Sequence, residues 1–403
     1  MNLMAVRSAS NQKRNSAPVT VYLQNIVVRH TFPVVFTRHL FSPRNRLLRN
    51  AIARGETRRQ HRCLVLLDKG VLAAFPDLPV QIRSYFDTHA GAMQLVREPL
   101  VLAGGEEIKQ SSRFVRRMVE ALRAGNVCRH SLCLAIGGGA FLDAAGLAAA
   151  LFHRGVRLVR IPTTALAQCD SGVGVKNAIN YAGSKNLLGT FAPPWAVLND
   201  ADFLSSLPLP LLLDGIAEAV KVAAIKDASF FRSIGRAAPQ IRKRNMSAIL
   251  RILKRCALLH LDHIATSGDP YELGAARPLD YGHWAAHKLE VLSRHRLSHG
   301  HAVSIGIALD ALYAARSGFL PEKQAFRLVS ILRTCGLPVY APELSRRDRR
   351  RRLAILAGLE EFRAHLGGEL TLTLPSPIGS RTEIHSVDEA RMAECIAALA
   401  RWK

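Results

Sequence analysis

No run of eighteen apolar residues occurs in the 403-residue chain, which excludes a helix crossing a membrane. The N-terminus, MNLMAVRSASNQKRNSAPV, lacks the continuous apolar stretch of a secretory signal, so a cytoplasmic location is expected. Aromatic residues are scarce at 6%, while Ala, Leu and Ile abound, which favours helices packed on a sheet over an all-β design. The seven cysteines are an odd number with no CxxC pair, which argues against a disulfide framework; buried thiols in a reducing compartment are expected. Neither GxGxxG nor HExxH is present, so the usual Rossmann fingerprint and the zincin metalloproteases are not supported.

Acids are also few: 31 Asp and Glu against 55 Lys and Arg leave a formal charge of +24. The excess is not one footprint. Residues 1–60 hold eleven Lys and Arg and one acid, Glu56, and a second cluster, SRRDRRRRL, spans 345–353. Aromatic residues that could stack on bases are not interleaved with either cluster. A basic disordered extension over 1–18 and a solvated helix face are the expectation, with nucleic acid not expected as a partner.

What is present is a change of pattern. From Val19 to Pro43 two strands are expected, then a helix near 44–56. Segments 62–71, 100–110, 131–152 and 156–164 alternate strand, turn and helix, which implies a parallel sheet with crossover helices. Segments 212–234, 249–265, 278–292 and 301–317 carry helical periodicity instead, and a late hairpin or strand is expected at 366–375. The expected organisation is an α/β dinucleotide-binding domain at 19–208 and an all-α metal and substrate domain at 209–403.

Three local patterns carry chemistry. Ile136-Gly137-Gly138-Gly139 joins a strand to a helix, where glycines let a phosphate approach free N–H groups; Asp143 follows four residues on. A second glycine turn, GGEEIK at 104–109, leads into Glu106 and Lys109, and two such turns suggest a dinucleotide crevice. Glu218 and Lys221 share a face of an otherwise apolar helix, and buried charges there must pair or bind something. His283 and His287 are one turn apart, and His299 precedes a new helix; two histidines with a carboxylate suit Zn²⁺ with positions left open. Residues 163–190 are expected to be a polar loop whose Asp170, Lys176, Asn177, Lys185 and Asn186 suit phosphate and sugar hydroxyls.

From about Asp68 to Leu374 this order of motifs resembles the sugar-phosphate cyclases, of which 3-dehydroquinate synthase is the best-known member. The resemblance implies the dehydroquinate synthase-like fold, NAD in the first domain, Zn (or Co) in the cleft, a sugar-phosphate substrate and a homodimer. It implies NAD contacts at Asp68, Glu106, Lys109, Gly138, Gly139, Asp143, Thr163, Thr164 and Leu166. Glu218, His283 and His299 match zinc ligands; Lys176, Lys221 and His287 match proton-handling or phosphate-binding positions. Asp170, Lys176, Lys185 and Asn186 match the DSxxxxK and GKN motifs (here GSKN), Asp280 a substrate position, and Arg154 an arginine reaching the neighbouring subunit. The implied reaction is a closed redox cycle: transient oxidation by NAD⁺, phosphate elimination, re-reduction and aldol closure to a carbocycle.

The chain also departs from the synthase. Where the family carries Lys and Arg before the first zinc histidine stand Asp262 and Ala276, with Arg277 one residue off register. Asp280 replaces an Asn, Glu361-Phe362-Arg363 replaces DKK, and His301 replaces a Glu. Loss of positive charge at the substrate end points to a neutral-headed sugar such as a heptulose phosphate. The valiolone-type cyclases that use such sugars usually have Pro where this chain has His287. Two alternatives remain: a metal-dependent polyol or alcohol dehydrogenase of the same fold, which would accumulate NADH, and an inactive basic adaptor, which would bind no divalent ion.

Overall fold

A computed structural model describes residues 21–182, 184–271 and 278–402. The expected extension at 1–18 and the two positions Ala276 and Arg277 lie outside the described residues. The chain divides into Met1–Thr31 and a compact unit, Phe32–Lys403. The described part of the first, residues 21–31, holds no helix or strand.

The first half of the compact unit is built on a parallel sheet. Its strands are β1 (Val34–Thr37), β2 (His61–Asp68), β3 (Met93–Leu95), β4 (Leu100–Leu102), β5 (Leu132–Gly137) and β6 (Arg157–Pro162). A hairpin, β7 (Lys176–Tyr181) and β8 (Ser184–Phe191), precedes the last strand, β9 (Ala196–Asp200). The order is β1-β9-β6-β5-β2-β3, and β3 and β4 share the free edge of β2. Alternate residues of β2 feed separate cores: Leu64 and Leu66 pack on one face, Cys63, Val65 and Leu67 on the other. Burial on both faces explains why β2 and β5 are near-continuous apolar runs.

The second half is helical. Every residue from Leu212 to Ile225 of the helix Leu209–Lys226 is buried, as is most of the helix His299–Arg316. Helices apolar all round belong at the centre of a core. Around them pack Ala228–Arg242, Met246–Thr266, His283–Leu292 and Glu322–Cys335. The late segment forms an antiparallel pair, β10 (Leu372–Pro375) with β11 (Arg381–Ile384). Among the described residues no helix is long and apolar enough to cross a membrane. All seven cysteines are free, six of them buried.

Four expectations need correction. Of the two strands expected at 19–43, only β1 forms, and residues 21–33 carry none. The expected loop at 163–190 holds a π-helical turn, Ala167–Ser171, and the β7–β8 hairpin. The helix expected at 212–234 is broken at Asp227, whose carboxylate caps the next helix by accepting from the amides of Ser229 and Phe230. The arginine cluster is not a helix face but a loop bridged at Arg347 and Leu353. Its one acid, Asp348, accepts from the amides of Arg350 and Arg352.

Candidate active site

The sheet reverses direction between β2 and β5: the chain leaves β2 for β3 and β4 on one side, then returns to β5 on the other. Ligands of such sheets sit at the carboxyl ends of the strands beside this reversal. Both glycine turns and Asp68 lie there. Asp68 ends β2 and caps the following helix, its Oδ1 accepting from the Gly70 amide at 2.7 Å. Burial raises its pKa, against hydrogen bonds from Gly70 and Gly138 that lower it. A Cβ on Gly104 would overlap that carboxylate, so the turn after β4 requires glycine. Gly138 caps the helix Gly139–Leu151, presenting its free amides. Asp143, one turn on, receives the Lys109 Nζ at 2.8 Å. Burial raises the Asp143 pKa and Lys109 opposes it.

The hairpin is held from below. Arg160 on β6 is fully buried, and its guanidinium donates to the carbonyls of Gly174 (3.0 Å) and Lys176 (2.8 Å) and to Asn177 Oδ1 (2.7 Å). Sequence reasoning missed Arg160; its signal is a charge inside the apolar strand VRLVRIP. The π-helical turn beside it carries Asp170, whose Oδ1 lies 3.0 Å from His260 Nδ1. Burial opposes ionisation of Asp170, but His260 and Lys221 hold its carboxyl well below the usual range.

The helical half converges on Glu218, which is 0% exposed. Its Oε1 lies 3.8 Å from His283 Nε2 and 3.6 Å from His299 Nε2, and has no hydrogen-bond partner. The ligand atoms of the three residues all lie within 4.8 Å of one another. Lys221 pairs with the other oxygen of Glu218. Burial would lower the Lys221 pKa, but Glu218, Asp170 and Asp280 together raise it, so it is an ammonium at neutral pH. His283 Nδ1 faces the Tyr281 carbonyl at 3.2 Å, which turns its Nε2 toward Glu218. Burial, then the Lys221 charge, pushes His283 well below the usual histidine range. Burial also works against a charge on His299, yet Glu218 and Glu290 raise its pKa to about 10. An orphaned buried carboxylate oxygen facing two imidazole nitrogens is a donor set that suits a divalent metal.

The histidine spacing comes from the main chain. Gly282 has φ +79°, and a Cβ there would lie 2.8 Å from the Ile307 nitrogen, while a Cβ on Gly306 would run into the Gly282 carbonyl. Across this contact Tyr281 donates to the Ile307 carbonyl (2.9 Å), and Asp310 accepts from Trp284 Nε1 (2.9 Å) and the Gly282 amide (3.1 Å).

One cavity of about 980 Å³ joins these parts. Asp68, Glu106, Lys109, Gly138, Gly139, Asp143, Thr163, Thr164 and Leu166 line one end, and Asp170, Lys185, Asn186, His287 and His299 the other. Glu218, His283 and Lys221 are buried outside its lining. Three residues are not brought to it: Lys176 is exposed at the start of β7, Arg154 is exposed in a 3₁₀ turn, and Asp280 is half-buried, acting on Lys221 through its charge. Of the departures noted above, Asp262 acts on the charge of Lys226, Glu361 pairs with Lys288, and His301 acts on Asp214. His295 is exposed but lines the cavity. Glu290 was missed although it stands three residues after His287, on the same helical face.

Family models described as 3-dehydroquinate synthase N-terminal and C-terminal match residues 99–212 and 215–354. The chain belongs to the 3-dehydroquinate synthase family. A 2-epi-5-epi-valiolone synthase of Actinoplanes sp. is 33% identical over 370 residues, covering 90% of this chain and 89% of that one. A 3-dehydroquinate synthase of Shewanella sp. is 31% identical over 319 residues, covering 79% and 86%. The solved 2-epi-5-epi-valiolone synthase of Streptomyces hygroscopicus, with NAD⁺ and Zn²⁺ bound, superposes with a TM-score of 0.82 at 28% identity, covering 95% of this chain and 100% of that one. The two-domain fold of the family, a parallel-sheet α/β domain followed by a helical domain, is the fold found here.

Proposed function

We propose that the chain is an NAD- and divalent-metal-dependent sugar-phosphate cyclase that eliminates phosphate from a neutral-headed heptulose phosphate and closes a carbocycle. The observation that carries this reading is the single cavity that joins the glycine turns to His299 and to the hairpin residues Lys185 and Asn186. The start of the helical half at Leu209 supports a domain boundary at 208/209.

Asp68, Glu106, Lys109, Gly138, Gly139, Asp143, Thr163, Thr164 and Leu166 would hold the dinucleotide, which supplies reversible oxidation of a ring hydroxyl. Glu218, His283 and His299 would hold Zn²⁺ (or Co²⁺), which supplies Lewis acidity toward a substrate oxygen. The protein's own groups do the rest. Lys221 pairs with Glu218 and positions that carboxylate. Asp170 stays ionised and orients His260. Lys185 and Asn186 on the hairpin, with His287, would meet the phosphate; Lys176, exposed at the start of β7, does not line the cavity. Arg154 serves a neighbouring subunit in a homodimer.

The charge around Lys221 selects the substrate class. Three carboxylates, Glu218, Asp170 and Asp280, act on one ammonium. Asp280, where the family carries Asn, adds the negative charge that disfavours a substrate carboxylate on this side. The relatives named for a valiolone product point the same way. The test is phosphate release and product analysis with a heptulose phosphate and with the seven-carbon keto-acid phosphate, each with and without a chelator. Chelator-sensitive turnover of the heptulose without net NADH is expected. Efficient turnover of the keto acid overturns the substrate assignment, and NADH accumulating with a polyol would make the chain a dehydrogenase.

A further inference from the structure

Glu290 joins two parts of the site that the proposed chemistry keeps apart. It is buried on the helix His283–Leu292 and lines the cavity. Its Oε1 accepts from the Lys185 Nζ at 3.0 Å and lies 3.6 Å from His299 Nδ1. Its Oε2 is buried without a hydrogen-bond partner. The other ring nitrogen of His299, Nε2, faces Glu218. One imidazole therefore stands between two carboxylates, one a candidate ligand and one behind it.

A carboxylate behind a ligating imidazole fixes the ring and raises its basicity. Here that same carboxylate oxygen is shared with an ammonium from the hairpin. We propose that Glu290 is a positioning residue that orients His299 for the metal and divides its charge between His299 and Lys185, so that an anion drawing Lys185 away tightens the metal site. By linkage, a bound metal strengthens the hold of Lys185 on the anion. The inference rests on the metal-site reading above.

The experiment titrates Co²⁺ into the metal-stripped full-length chain, read by the visible absorption of the bound ion, for wild type and three variants. Glu290→Gln is expected to weaken Co²⁺ binding about 10- to 100-fold. Lys185→Met is expected to tighten it about two- to five-fold, the effect of one partly screened charge removed from the carboxylate. The double variant is expected to match Glu290→Gln alone, because Lys185 acts through Glu290. Circular dichroism reports the fold of each, and the partly exposed Lys185 keeps the test open if Glu290→Gln misfolds. A wild-type chain that binds no Co²⁺ removes the metal site and the inference together. A wild type that binds Co²⁺, with Glu290→Gln within about twofold of it or with Lys185→Met weakening binding, overturns the inference alone.

Discussion

The two halves of the cavity are built in different materials. At the end proposed for the dinucleotide, main chain lines the cavity at the turns of Gly104 and Gly138 and at the free amides of the helix Gly139–Leu151. Its buried charges are neutralised locally, as in the Lys109–Asp143 pair. At the metal end the groups are side chains from separate helices, and Glu218 keeps an oxygen unpartnered. A site made of backbone survives the loss of any one side chain better than a site made of converging ligands.

The largest expected effect is at Glu218. Glu218→Gln keeps the shape but removes a ligand charge, and turnover should fall by about 10³-fold or more, the scale of several kcal/mol of lost Lewis-acid stabilisation. NAD⁺ affinity, by fluorescence titration, should stay within about threefold of wild type, because additivity holds for separate sites. Equal loss of both breaks the comparison. Next comes Gly306→Ala, which forces the two histidine helices apart and should cost about 1–3 kcal/mol in urea unfolding while weakening metal binding. Lys109→Met should act on the other end only, raising the NAD⁺ Kd by about tenfold through the unpaired Asp143 and leaving Co²⁺ affinity unchanged.

A smaller effect concerns pH. Burial raises Asp310 to about 7, although Trp284 and Gly282 oppose the shift. The folded state then holds a proton that the unfolded chain has released, between the ordinary carboxylate range and about pH 7. Stability contributed by this group is present at low pH and falls as pH rises through that window. Asp310→Asn should flatten the slope of urea-unfolding free energy there; an unchanged slope would show that Asp310 does not titrate in it. The smallest effect is expected outside the cavity: Arg349→Ala, in the arginine loop, should change stability by less than about 0.5 kcal/mol.

The same contrast governs what could be read from the chain itself. Glycine turns after apolar strands are local, so β2, β4, β5 and β6 and the turns that line one end of the cavity were legible. The convergence of Glu218, His283 and His299 was legible through the one-turn spacing of His283 and His287 and the buried charges at 218 and 221. The β7–β8 hairpin was not, because its Asn, Gly, Ser and Lys residues are those of turns; Arg160, distant in sequence, holds it in place. The break at Asp227 was signalled by an Asp followed by Ala-Ser, a capping pattern that continuous apolar periodicity overrode. In the arginine loop, nearly uniform charge carries no period, and only Asp348 shows where the chain turns. Glu290 was hidden because its partners lie on the hairpin and on the next helix.

The contact of Gly282 with Gly306 has a practical consequence for redesign. The interval between the two histidines is gauged by main chain against main chain, with no side chain to adjust. Retuning an ion held there therefore means moving whole helices, whereas cavity-lining side chains such as His287 and Lys185 can be replaced one at a time. An engineer can change what the enzyme consumes far more cheaply than how it is wired.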